Sequence, residues 1–295
     1  MSARKQAYLL LLVNAIIWGA ALPIVKPALN FISPFQFLYF RYLIAAVIIT
    51  PALIYFLSKQ LLTLKQLATI IGLELLGTPL ALGLLYTGLA QTAAVEASLI
   101  ASTYPLLITL GGVYLLKERE EPIEWLGLII SFLGAALLIM EPVVNGHQLK
   151  LSLSGNLLIV AHNLVIAAYY LLAKRWYKNL SKWLVTGIGY WASLVVLFVI
   201  VRLSGASTGV SLLANPTVAL ASIYMGILGS VIALTAYIKG QDLIEASEAT
   251  LFSYLTGIFA LPAAFLILGE VPTPIQLMAV AIIAVGVLLG EYRKA

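Results

Sequence analysis

Apolar residues along this chain do not alternate with polar ones. They run in blocks of about twenty, the length a helix needs to cross ~30 Å of hydrocarbon, and each block closes on a short polar break. The breaks place ten predicted helices near residues 7–27, 34–57, 66–88, 94–116, 123–144, 154–173, 182–203, 217–238, 246–268 and 274–291. Connections are short. The longest, "LSGASTGVSLLANPT", joins the seventh helix to the eighth, so no loop has room for a soluble domain. The opening "MSARKQAYLLLLVNAIIW" has a basic start but no small-residue cleavage site before the apolar run continues, and it reads as the first membrane helix rather than a removed leader. The fold class expected is an all-α integral membrane protein with ten transmembrane helices.

Composition agrees: 62% of residues are hydrophobic and only 10% charged, too few polar groups to cover a soluble globule. The absence of cysteine excludes disulfides, thiolate metal sites and a cysteine nucleophile. A net charge of +5 would suit nucleic acid, but the placement of the charges explains it otherwise. With the N-terminus inside, thirteen Lys and Arg fall in cytoplasmic segments, from Arg4 and Lys5 to Arg293 and Lys294. Only Lys26, Lys150 and Arg202 fall on the other side. Basic residues in short loops mark the cytoplasmic face. Both termini are therefore expected to be cytoplasmic in a multi-pass plasma or inner membrane protein, with no nucleic-acid partner.

An offset of 152 residues brings Glu96 onto Glu248, Ala97 onto Ala249, Ser98 onto Thr250 and Leu99 onto Leu251. The same offset carries Glu118 to Glu270, Pro122 to Pro274 and Gly134 to Gly286 without a gap. The chain thus divides into a first five-helix repeat, 1–145, and a second, 146–295. Five is odd, so the second copy enters the membrane from the opposite side. Inverted-topology repeats of this kind place a substrate site near the midplane between the halves in secondary transporters.

Several local signatures recur in order over nearly the whole chain. They are Trp18-Gly19, "LYFRYLIAA" around Arg41, "ASTYPLL", "KE" closing the fourth span, and "EWLGLIISFLGAALLI"; the second copy has "FSYLTGIFALPAAFLILGE" and "IQLMAVAIIAVGVLLGE". With these the chain resembles the drug/metabolite transporter superfamily, in its ten-helix EamA-like branch. Two departures are visible: the sixth span lacks the Trp-Gly pair, and Gly257 stands where the fourth span has Pro105. The resemblance implies a central cavity surrounded by helices one, three, four, six, eight and nine. It would be lined by Asn14, Trp18, Tyr86, Ser98, Ser102, Tyr104, His162, Asn163, Tyr169, Tyr237, Thr250, Ser253 and Tyr254. Tyrosines also anchor helices at membrane interfaces, and His162 and Asn163 also fit hydrogen-bonded helix packing.

Ionisable groups at membrane depth are costly and mark candidate sites. Arg41 stands seven residues into its span, about 10 Å deep at ~1.5 Å per residue. It can meet an anionic substrate or hold the fold, and is assigned with Glu96, Glu118, Glu248 and Glu270 to the structural charges; acidic residues at helix starts also answer the macrodipole. Glu74 and His162 are the candidates for proton coupling, against the plainer reading of a lone interfacial Glu and a packing His.

Enzyme readings do not survive. "GASTG" with Ser207 matches a nucleophile elbow, but it lies in a loop of small residues rather than between strand and helix. A single aspartate, Asp242, excludes an aspartyl dyad; His147 and His162 have no metal-ligand spacing, and no phosphate-cradling motif is present. No cofactor or metal is expected. The expectation is a secondary transporter of a small metabolite, an amino acid or similar zwitterionic or amphipathic solute, working by alternating access, with export as the expected direction. Its partners would be the solute, membrane lipids and, for a coupled cycle, protons; the chain would act as a monomer or weak homodimer. The contrasting class is a lipid scramblase or a non-transporting assembly partner.

Overall fold

Caps written into the sequence start the helices. The computed structural model describes residues 2–91, 104–117, 121–144, 153–268 and 273–291. Helix α1 (Ala3–Asn30) begins behind Ser2, whose hydroxyl accepts from the Lys5 N–H, and ends in a 3-10 stretch. Full capping boxes open α2 (Pro34–Lys59), from Ser33 and Gln36, and α3, from Thr63 and Gln66. The third helix runs as Leu64–Leu75, a π-helical stretch Leu76–Leu80, and Ala81–Gln91. Helix α4 is described from Tyr104–Gly111 into a π-helical stretch Gly112–Leu116, and stops at Lys117 in the left-handed conformation with φ of 58°. Then come α5 (Pro122–Val144), α6 (Leu153–Trp176), α7 (Lys182–Leu203) and α8 (Pro216–Gln241), the last capped by Asn215 with Pro216 in its first turn. Helices α9 (Ala246–Leu268) and α10 (Pro274–Glu291) complete the bundle.

Among the described residues six helices are long and apolar enough to cross a membrane: α1, α2, α3, α6, α7 and α8. Shorter apolar stretches lie in α4, α5 and α10. Large apolar side chains such as Leu9, Ile54, Val195, Leu220, Leu266 and Leu288 stand exposed on the flanks, where a soluble protein would carry charge. This is an all-helical membrane protein. Its helices extend beyond the apolar blocks: α6 continues past residue 173 through Lys174, Arg175 and Trp176. Long basic side chains continue a helix readily and carry their charge beyond the apolar layer.

Two of the wide turns shape the centre. In α3, Pro79 has no N–H for the carbonyl four residues back, and the helix widens around it. In α8 the π-helical stretch covers Tyr224–Leu234, and the 152-residue offset lays the α3 stretch inside it. Gly226 there lets α8 approach α2 closely, since a Cβ would come within 2.8 Å of the Ile44 side chain and 3.0 Å of the Arg41 carbonyl.

Packing follows a two-fold pattern. Helix α5 packs on α10 and α2 on α7; α3 on α6 matches α8 on α1, α4 on α6 matches α9 on α1, and α2 on α8 matches α7 on α3. Exchanging every helix for the one five places along returns the same set. The α5–α10 seam is made of small residues: a Cβ on Gly286 would sit 2.4 Å from Ser131 Oγ and 2.5 Å from its backbone nitrogen, and one on Gly134 would meet Ile283. Beside the seam Leu128, Leu251, Tyr254, Ile283 and Val287 form a small apolar cluster, separate from the main core of the other helices.

Candidate functional site

The wide turn of α8 gathers polar side chains from three other helices. Asn14 of α1 donates Nδ2–H to the Ala233 carbonyl at 3.0 Å, and Trp18 donates Nε1–H to the Gly229 carbonyl at 3.1 Å. Tyr190 of α7 donates its hydroxyl to the Ser230 carbonyl, while Arg41 of α2 donates Nε–H to the Ser230 hydroxyl at 2.7 Å. An α-helix uses such carbonyls for its own ladder. A π-helical stretch shifts the ladder and turns them towards neighbours.

Arg41 is 6% exposed, and its guanidinium lies 5.2 Å from the centre of the Tyr42 ring. Tyr42 in turn packs edge-on to Tyr190 and reaches the Thr78 hydroxyl, 3.4 Å away, in the wide turn of α3. One helical turn before Thr78 comes Glu74, 1% exposed, whose Oε1 accepts from the hydroxyls of Tyr169 at 3.0 Å and Tyr177 at 3.2 Å. No cation lies within ion-pair distance of Glu74 among the described residues. Gly189 of α7 makes space for this carboxylate, because a Cβ there would lie 2.3 Å from Glu74 Cγ. Glu74 and Arg41 do not pair directly; Tyr42, Tyr190 and Thr78 lie between them.

A chain of rings closes the belt. Trp18 stacks on Tyr237 at 5.9 Å, Tyr237 meets Tyr170 at 4.8 Å, and Tyr170 adjoins Tyr169 at 5.2 Å. This carries the belt from α1 through α8 and α6 to Glu74 on α3. Tyr86 meets Phe37 edge-on and, like Tyr170, lies within electrostatic reach of Arg41.

The remaining predicted residues take varied places. His162 is buried with Nδ1 at 2.8 Å from the Ala81 carbonyl, tying α6 to α3, and Asn163 is buried beside it. Half-buried Tyr104 packs on the main core, whereas Tyr254 belongs to the cluster beside α5 and α10; Ser253 is buried. Ser98, Ser102, Glu96, Glu118 and Glu270 lie outside the described residues, as does the side chain of Thr250. Tyr42, Tyr177, Tyr190 and Ser230 were missed. One signal was available: Tyr177 follows Tyr169 by eight residues, roughly two turns, so both lie near one face. Ser230 had none.

Charged contacts collect at one end of the bundle. Glu248 Oε1 accepts from Arg4 at 2.8 and 2.9 Å and from the Tyr8 hydroxyl at 2.7 Å, joining α1 to α9. Lys182 pairs with Asp242 at 2.6 Å, and Lys174 donates to the Ile244 carbonyl at 2.6 Å. Burial pushes the Asp242 carboxyl above its ordinary value, against the pull of Lys182, Lys174 and Lys178. At the other end the described contacts are neutral, such as Gln36 donating to the Ser207 carbonyl and Ser154 to the Gln91 side chain. Among the described residues no group of acidic, histidine and cysteine side chains is arranged to hold a metal.

Comparison with known proteins fits this architecture. The model of the EamA-like transporter family matches twice, at residues 5–140 and 153–290. The uncharacterized transporter YdfC of Bacillus subtilis is 27% identical over 94% of this chain and 88% of its own length. YcxC of the same organism, also an uncharacterized transporter, is 28% identical over 95% of this chain and 91% of its own. An uncharacterized transporter of Archaeoglobus fulgidus is 22% identical over 98% and 99%. A crystal structure superposes with a TM-score of 0.81 at 19% identity, covering 98% of both chains, which shows a shared fold. This chain is a membrane transporter and belongs to the EamA-like transporter family, with two copies of the family's domain.

Proposed function

We propose that the protein is a secondary transporter that moves a small zwitterionic or amphipathic metabolite outward by alternating access, between two inverted five-helix repeats spanning the membrane ten times. The observation that carries this reading is the belt of buried Arg41, Tyr237, Tyr170 and Glu74 with half-buried Trp18, which draws on both repeats inside a bundle with apolar flanks. Tyrosines, small hydroxyls and one guanidinium offer a compact solute both ring faces and hydrogen bonds. Asn14, Trp18, Tyr86, Tyr104, His162, Asn163, Tyr169, Tyr237, Ser253 and Tyr254, with Ser98, Ser102 and Thr250, remain the proposed solute contacts. Glu74 is the proposed proton carrier, since a carboxyl group without a fixed counter-ion exchanges a proton without breaking an ion pair.

Purified protein should be stabilised by its solute in a thermal-shift screen of amino acids, nucleosides, amines, sugars and phosphate esters, because ligand binding to the folded state raises apparent stability. The hit should then exchange across proteoliposomes. A blank screen together with lipid scrambling would replace this reading by the lipid-handling one.

The proposal includes cytoplasmic N- and C-termini, supported by the excess of basic residues in the segments around Arg4, Lys174 and Lys239. The cysteine-free chain makes a direct test possible. A single cysteine replacing Ser207 should react with an impermeant maleimide on intact cells, and one replacing Lys178 only after permeabilisation. The reverse labelling pattern would invert the topology.

A further inference from the structure

Arg41 is the only lysine or arginine buried among the described residues, and no carboxylate there pairs with it. Its Nε–H is committed to Ser230, and the Tyr42 ring lies beside its guanidinium. Its two terminal amino groups make no hydrogen bond within the described residues. A buried charge without a counter-charge is expensive at membrane depth, and native proteins supply the partner. Glu74, the acid nearest along this belt, is instead held by Tyr169 and Tyr177.

We infer that Arg41 is the anchor for a carboxylate on the transported solute, with the Trp18–Tyr237–Tyr170 rings receiving the apolar or aromatic remainder. The inference rests on the transport reading above and narrows its solute class. With Nε–H turned to Ser230, the two terminal amino groups leave one edge of the planar fork, the geometry that takes both oxygens of a carboxylate. One cation suits a singly charged anion. A phosphate dianion calls for further buried cations, and the described residues hold none. Ser230 acts here as a positioning residue: it fixes Nε, and the wide turn of α8 fixes Ser230, so solute binding on Arg41 is tied to the shape of α8.

The test is binding and flux with matched probes: L-phenylalanine, L-leucine and L-glutamine, each beside its carboxamide, with phenethylamine as the cation lacking any carboxyl group. The wild-type protein should favour each acid over its amide by about ten- to a hundredfold, the range for a hydrogen bond to a charged group. R41Q should bring acids down to the level of the amides, R41K should recover part of the preference, and S230A should weaken the acids without abolishing them. Partial recovery of the preference by R41K, with R41Q keeping the wild-type Tm in detergent, separates a lost anchor from a damaged fold. If acids and amides bind alike, or R41Q keeps the preference, the anchor is refuted. Flux of neutral or cationic solutes alone would leave the transport reading standing and sink this one, whereas absence of binding and flux for every probe would count against both.

Discussion

Replacing Glu74, the proposed proton carrier, by Gln should reduce proton-driven accumulation in proteoliposomes to the level of passive equilibration, while solute exchange without a gradient should continue. Glutamine keeps the shape and an acceptor oxygen for the Tyr169 and Tyr177 hydroxyls, now 3.0 and 3.2 Å from Oε1, so the α3–α6 packing is preserved. What it removes is the titrating proton. Rate and final accumulation in E74Q should therefore be indifferent to an imposed pH difference that drives the wild type. Ala at the same position adds a structural loss, because two buried phenols lose their acceptor at about 1–3 kcal/mol each. The measurement is solute accumulation with and without a pH difference, beside counterflow as the control. Wild-type accumulation by E74Q would remove Glu74 from the cycle, and a wild type indifferent to pH would make the protein a facilitator.

The largest structural effect is expected at the seam between α5 and α10. Gly286→Val puts a branched side chain where even a Cβ would lie 2.4 Å from Ser131 Oγ, 2.5 Å from its backbone nitrogen and 2.7 Å from the Gly127 carbonyl. Two of the three obstacles are backbone, so no rotamer change relieves them and the helices must part. Overpacking of this kind costs about 1–3 kcal/mol, more where backbone must move. G286V should lower the apparent Tm in detergent, and S131A should not rescue it. Leu288→Val, on the exposed side of the same helix, should leave the Tm unchanged. A G286V protein as stable as the wild type would mean that the seam opens at little cost.

Much of this protein was legible from one dimension. Helix starts follow from Ser2, Ser33, Thr63 and Asn215, because a cap acts within three residues of its own position. Apolar block length marks helices that suit a membrane, since hydrocarbon thickness is constant. The offset that joins Gly134 to Gly286 marks two related halves, and both glycines lie in the α5–α10 seam. Trp18, Arg41, Glu74 and Tyr237 could be singled out because polar and aromatic groups at membrane depth need a reason to be there.

Which of these groups meet was decided only in three dimensions. The chain has fifteen tyrosines; the spacing of Tyr169 and Tyr177 puts them near one face, but nothing local says that this face holds Glu74 while Tyr254 packs beside α5 and α10. Their partners lie about a hundred residues away, beyond any helical period. The wide turn of α8 likewise has no mark of its own beyond Gly226 and Gly229, residues that ordinary close packing also uses. Yet that turn presents the Gly229, Ser230 and Ala233 carbonyls to α1 and α7, and so places Ser230 under Arg41. Hydrophobic pattern and capping act along the chain and can be read from it. The site depends on hydrogen bonds between side chains of one helix and the backbone of another, and these exist only once the bundle has set the helices' depth and rotation.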